Sequence, residues 1–218
     1  MQLMSLLGKI IKAPLAVSLR TIARIYPQGE SLTRFFYYRH LIETLGRVPK
    51  PTSAESVLSV SGSSHLCGLL GIPAHSVVEA NYPEHNVLSL RFESERFEMV
   101  FFDQVLEHVE GNPQDAIDEL YRILKPGGLL VCGTVLVYPI HGYPSDYWRF
   151  TPEGLKLLCR RFSKIVECGG WGNMYVWMLA WLGLYQDSVP LCNWHPLYRI
   201  ATLNDPNWKI VTWIVAEK

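Results

Sequence analysis

The sequence predicts an α/β protein with a doubly wound, mostly parallel sheet, preceded by a helical N-terminal extension. Three features predict it. Short apolar segments bounded by turn residues (SVLSV, SVVEA, FEMVFF) recur over residues 56–102, as buried strands do. A helical segment then carries Ala116, Ile117, Leu120, Ile123 and Leu124 on one apolar face. A long apolar strand, LLVCGTVLV at 129–137, follows directly, and strands that alternate with helices build parallel sheets.

The elements follow in order. A helix is expected near Ser31–Leu45. The Pro- and Ser-containing stretch RVPKPTSAES after it divides the chain into an extension over 1–48 and a domain over 49–218. SVLSV (56–60) reads as a first buried strand, the residues around Leu66–Gly71 as a short helix, and SVVEA (76–80) as a second strand. NVLSL (86–90) reads as a third strand and FEMVFF (97–102) as a fourth. Asn112 caps the next helix with Pro113 at its first position, Lys125 stands at its end, and Pro126-Gly127-Gly128 stops it. Thr151 caps TPEGLKLLCRRF, with Pro152 first and Glu153 in the first turn, where a negative charge suits the helix dipole. SKIVEC (163–168) and WKIVTWIVAEK (208–218) complete the strands.

The composition excludes several classes. At 218 residues, 49% hydrophobic and 18% charged, the chain is long and apolar enough for a folded core. A formal net charge of +0 gives no bulk electrostatic case for nucleic acid. Its five cysteines are scattered, without a C-x-x-C pair, which argues against a disulfide framework or zinc knuckle and points to a reducing, cytoplasmic setting.

The first residues, MQLMSLLGKIIKAPLAVSLRTIARIYPQG, carry Lys9, Lys12, Arg20 and Arg24 and no acid before Glu30. Their apolar runs are too interrupted to span a bilayer, which takes about 20 apolar residues. An amphipathic element packed on the domain ranks first. A basic interfacial helix on a membrane is the second reading, and a targeting peptide the third.

The run FEMVFFDQVLEHVEGNPQDAIDELYRILKPGGLLV resembles the class I S-adenosylmethionine-dependent methyltransferases, particularly the methyltransferase type 11 group. The matching pieces are Phe97-Glu98-Met99-Val100, Val105-Leu106-Glu107-His108-Val109 and Arg122-Ile123-Leu124-Lys125-Pro126-Gly127-Gly128. The resemblance covers roughly residues 50–218 and extends through HGYPSDYWRFTPEGLKLL and GGWGN. It implies a Rossmann-like, seven-stranded sheet and S-adenosyl-L-methionine as cofactor, bound by the loops after the strands.

Carried onto this chain, the resemblance implies a cofactor set of Ser61, Gly62 and Ser63 after the first strand, Glu79 and Asn81 at the second, Ser89 and Leu90, and Asp103 and Gln104. The chain departs from the family here. Ser61-Gly62-Ser63-Ser64 replaces a glycine-rich loop, Asn81 is an amide at the natural place for a ribose-binding acid, and Ser89 stands where relatives carry Asp. Each lost carboxylate-to-hydroxyl contact weakens binding by about 1 kcal/mol or more.

The most chemically loaded loop is His141–Phe150. His141 is a candidate general base, because an imidazole titrates near neutrality. Asp146 and Arg149 are candidates to read hydroxyls or an anionic group, or else to pair with each other. Tyr147 and Trp148 offer a face for a sugar ring, or cover the sheet edge. Gln104-x-x-Glu107-His108 with His141 resembles the E-x-x-E-H metal site of some methyl-transfer enzymes. Gln is a poor ligand at its first position, so no metal is expected.

GGWGNMYVWMLAWLGLY (169–185) reads as an aromatic, Met-rich helix after Asn173, a buried lid or a self-association face for a homodimer, with a membrane-contacting helix as the lower-ranked reading. The expected function is methyl transfer to an oxygen of a small molecule or glycan intermediate. The competing expectation is a catalytically silent relative that scaffolds or binds a partner.

Overall fold

A computed structural model of the protein describes residues 14–142 and 145–218. In chain order its elements are α1 (14–23), β1 (Gln28–Ser31), α2 (Leu32–Leu45), β2 (Val57–Val60), α3 (Ser64–Leu69), β3 (Val77–Ala80), β4 (Phe97–Asp103) and α4 (Pro113–Ile123). Then come β5 (Leu124–Val135), α5 (Pro152–Leu158), β6 (Lys164–Trp171), α6 (Met174–Trp181), β7 (Ser188–Pro190), α7 (Pro196–Thr202) and β8 (Val211–Glu217). Short 3-10 turns lie at Ala74–Ser76 and Leu106–His108. Two compact units divide the chain: Leu41–Gly170 with Ile210–Lys218, and the described residues up to His40 with Trp171–Lys209.

The larger unit is built on a sheet of order β3-β2-β4-β5-β8-β6. β2 pairs in parallel with β3 and with β4, β4 in parallel with β5, and β8 runs antiparallel to β5. Strands covered on both faces need continuous apolar runs. All four residues of β2 are buried, as is β4 from Met99 to Asp103. From β2 the chain crosses to β3 on one side and then returns to β4 on the other. The border between β2 and β4 is therefore the switch point, and the crevice outside their carboxyl ends is where such sheets bind ligands.

α4 packs beside β5, the next strand after β4. The Asn112 side chain accepts from Gln114 N at 3.1 Å, Pro113 follows, and Ala116, Ile117, Leu120 and Ile123 are buried. Its helical turns end at Ile123, and Leu124–Gly128 already belong to the span of β5; Gly127, at φ +75°, donates to Lys218 O at 2.9 Å as the chain turns. α5 likewise stops at Leu158, short of the expected Phe162.

The sheet has six strands among the described residues rather than seven, and residues 86–90 are a turn. Asn86 explains this. Its side-chain oxygen accepts from Leu88 N at 3.0 Å and its carbonyl from Ser89 N at 2.9 Å. An Asn that satisfies its own backbone competes with sheet pairing. The next residues are clamped to α4: Leu90 N donates to Glu119 at 2.8 Å, and Arg122 donates to Leu90 O and Phe92 O.

In the smaller unit β1 and β7 form an antiparallel ribbon, and Arg20 on α1 donates to Asp187 at 2.9 Å and to Gly183 O at 2.9 Å. Asn173 caps α6 and donates to Ile200 O and Leu203 O beside α7. Of α6 only Val176 and Leu179 are buried; Met174, Tyr175, Met178 and Trp181 are exposed, so of the two expectations for this segment the buried lid is not what forms. Lys9 and Lys12 lie outside the described residues, as do Tyr143 and Pro144 of the His141–Phe150 loop. Among the described residues, no helix is long and apolar enough to cross a membrane.

Candidate active site

A cavity of about 550 Å³ opens at the switch point of the larger unit. Ser61 and Gly62 from the end of β2, Asn81, Tyr82 and His85 after β3, and Gln104 and His108 after β4 line it, with apolar Val60, Val87, Leu88, Val105 and Val109. The backbone bends sharply at both strand ends. Ser61 has φ +49°, Gly62 φ +86° and Gln104 φ +57°. For Ser and Gln this left-handed region costs on the order of 1–2 kcal/mol, and such residues gather at functional sites. Ser61 N donates to Ala80 O at 3.0 Å and Gln104 N to Gly133 O at 2.8 Å, so neighbouring strands hold the bends.

The expected cofactor residues divide into two groups. Ser61, Gly62, Asn81 and Gln104 line the cavity. Ser63, Glu79, Ser89, Leu90 and Asp103 do not. Ser63 is buried beneath the loop, donating to Val60 O and accepting from Asp103 N. Glu79 is exposed at the end of β3 and accepts from Ser59 Oγ at 3.0 Å. Asp103 is buried and does not line the cavity. The turn at Asn86 sends Asn86, Val87 and Leu88 to the lining in place of Ser89 and Leu90. His85 was not foreseen from the sequence. Its ring stacks on Phe92 at 5.4 Å, and its buried Nδ1 has no hydrogen-bond partner.

The His141 loop is fastened over the Leu106–His108 turn. Tyr147 N and Trp148 N both donate to Glu107 O, at 2.8 and 3.1 Å, and Trp148 Nε1 donates to Val109 O at 2.9 Å. Within the loop Asp146, with a side chain only 2% exposed, takes both Arg149 Nη1 and Nη2 and also accepts from His141 N at 3.0 Å. The Arg149 guanidinium holds the Asp146 carboxyl well below the usual carboxylate range. Asp146 and Arg149 thus spend their charges on each other. His141 Nδ1 lies 3.2 Å from Asp146 Oδ2.

Beneath the loop, Glu107 is fully buried. Burial pushes its carboxyl up to about 7, against a backbone hydrogen bond, a hydrogen bond from Thr134 and the proximity of His108. The His108 and His141 rings meet edge to face at 4.9 Å, and Tyr138 lies at the same distance from His141. His108 therefore connects the cavity wall to the His141 loop.

A family model described as a methyltransferase domain matches residues 54–132, from the lead-in to β2 to the middle of β5. This stretch of the larger unit is similar in sequence to a methyltransferase domain. The fold recurs in a SAM-dependent methyltransferase from Thermotoga maritima, 16% identical, covering 83% of this chain and 89% of that one at a TM-score of 0.51. It recurs in a candidate methyltransferase from Bacillus halodurans, 15% identical over 83% of this chain and 99% of that one, TM-score 0.53. A phosphoethanolamine N-methyltransferase from Haemonchus contortus, solved with S-adenosylhomocysteine, is 14% identical over 83% of this chain and 52% of its own, TM-score 0.51. At these identities the likeness is one of fold. No curated protein matches the chain in sequence.

The methyltransferase match stops at Cys132, so the His141 loop lies outside it. The methyltransferase cofactor is S-adenosylmethionine, and the cavity fits it. A Cβ built at Gly62 would meet nothing within 4 Å, which leaves room for close approach of a ligand to the backbone. His85 Nδ1 supplies a buried polar atom in want of a partner.

Proposed function

We propose that the protein transfers the methyl group of S-adenosylmethionine to an oxygen of a small-molecule or glycan acceptor. The observation that carries this is the cavity at the β2–β4 switch point, inside the stretch similar to a methyltransferase domain, with His108 reaching from its wall to a base-bearing loop.

When bound, S-adenosylmethionine supplies an electrophilic methyl group. The Ser61–Gly62 backbone, Asn81 and Gln104 would hold its polar parts, and Val60, Val87, Leu88 and Val105 would flank its base. Methyl transfer is an in-line displacement that depends on proximity and orientation, so it needs no nucleophilic residue of the protein. The acceptor must lose a proton. Asp146 orients His141 through Nδ1, which turns the other ring nitrogen into the accepting lone pair. Arg149 keeps Asp146 charged for that task. Exposed Tyr147 and Trp148 offer aromatic surface on which a sugar ring can rest.

Calorimetric titration with S-adenosylhomocysteine tests this. Binding in the micromolar range, about 8 kcal/mol, lost in Gly62→Val, supports the assignment. No heat and no thermal shift at millimolar ligand would sink it.

A silent, partner-binding relative is the competing function, and one observation favours it. Among the described residues the only carboxylate lining the cavity is Glu110, which is exposed. Such a site would bind S-adenosylhomocysteine no better than adenosine.

A further inference from the structure

The described residues bring one set of metal-binding donors together. A carboxylate oxygen of Glu107 and one ring nitrogen each of His108 and His141 lie within 4.8 Å of one another. Three observations mark the set as built for a ligand.

The first is an orphaned atom. Glu107 Oε2 accepts from Thr134 Oγ1 at 2.9 Å, while Oε1, equally buried, has no hydrogen-bond partner. A buried carboxylate oxygen without a partner is costly, and a cation removes that cost. The second is the tautomer. His108 Nδ1 lies 2.6 Å from Ser145 O, and His141 Nδ1 lies 3.2 Å from both Asp146 Oδ2 and Pro139 O. Acceptors at Nδ1 keep the proton there and leave Nε2 as a free lone pair, the arrangement by which metal-binding histidines are oriented. The third is fixation from several elements. β5 holds the Glu107 side chain through Thr134, the loop amides of Tyr147 and Trp148 hold its carbonyl, and Arg149 holds Asp146.

We propose that Glu107, His108 and His141 form a binding site for a divalent transition-metal ion. One carboxylate with two imidazoles suits manganese, ferrous iron, cobalt or zinc better than calcium or magnesium, which prefer all-oxygen shells. Three protein donors leave positions open for an exogenous ligand. Gln104, the position that weakens the sequence motif, is not needed: it turns at a left-handed φ to line the cavity. His108 lines that cavity too, so the ion would sit at its edge. Resting on the methyl-transfer function for this clause alone, the acceptor class becomes one with an oxygen ligand to offer, such as neighbouring hydroxyls. The ion would then act as a Lewis acid on that oxygen, with His141 as its ligand rather than as the free base.

The test uses the full-length protein stripped with EDTA and dialysed. Cobalt(II) is titrated by its visible absorption, and manganese and zinc by calorimetry, for wild type, Glu107→Gln and His141→Ala. Glu107→Gln keeps an acceptor for Thr134, and thermal midpoints in EDTA identify folded variants; should Glu107→Gln not fold, His141→Ala decides alone. The expected result is saturable binding of one equivalent by wild type, weakened at least about 100-fold in each folded variant. No saturable binding at millimolar cobalt, or equal binding by wild type and variants, would overturn the site. S-adenosylhomocysteine is titrated separately into the metal-free protein. Loss of that binding with metal binding intact would refute the methyl-transfer function and leave the metal site standing.

Discussion

Ser63 joins Asp103 across the carboxyl ends of two neighbouring strands. Its buried hydroxyl donates to Val60 O at 2.7 Å on β2 and accepts from Asp103 N at 3.0 Å on β4. One oxygen atom thus bridges the two strand ends that frame the cavity. A serine expected to touch the cofactor lies buried between the strand ends and does not line the cavity.

Ser63→Ala leaves the Asp103 N–H and the Val60 carbonyl buried without this partner, at a cost of about 1–3 kcal/mol. Urea unfolding should show that loss, and S-adenosylhomocysteine affinity should fall with it. Unchanged stability would mean the strand ends are held by other contacts.

Arg149 acts on the same loop as His141. Arg149→Met removes the cation from a carboxylate that is nearly inaccessible to water, and charged hydrogen bonds of this kind contribute about 1.5–3 kcal/mol. The variant should unfold at lower urea and lose turnover through kcat as His141 loses its orienting carboxylate. A variant with wild-type kcat would remove Asp146 from the chemistry.

Glu119 makes stability pH-dependent at the acid end. The hydrogen bond from Arg122 lowers its carboxyl below the ordinary 4.5. A folded value below the unfolded one gives stability that is present above about 4.5 and lost as pH falls through the folded value. The side chains are 36% and 16% exposed, so the gain is below about 1 kcal/mol. Thermal midpoints of wild type and Glu119→Gln should differ at pH 7 and converge once the pH has fallen through the folded value; a constant difference would contradict this.

Thiol reactivity should follow burial. Burial pushes Cys67 and Cys159 up to about 12 and Cys132 well above its ordinary value, so none offers thiolate near neutrality. Half-buried Cys168, pushed up to about 11 by burial, should react slowly. With Ellman's reagent at pH 8 the native protein should lead with Cys192, and Cys67, Cys132 and Cys159 should respond only in denaturant. Early labelling at Cys67 by mass spectrometry would refute the ordering.

What the sequence determined by itself was local. Asn112-Pro113 and Thr151-Pro152 start helices because capping acts over two or three residues, and β2, β4 and β5 show as apolar runs because both faces of a parallel sheet are covered. Ser61, Gly62, Asn81 and Gln104 could be placed at the cavity because ligand-binding loops follow strand ends. Residues 86–90 misled, since the strand suggested by apolar Val87, Leu88 and Leu90 is overruled by one asparagine hydrogen-bonding its own backbone.

Only the tertiary structure decided which polar side chains face the cavity and which hold it together. Ser63 and Asp103 belong to the frame, and His85 belongs to the wall. Glu107, on one strand's loop, meets Thr134 from the next strand and His141 from the loop beyond it. Such meetings across 27 and more residues depend on strand register and on a loop pinned by backbone amides, which no local pattern encodes.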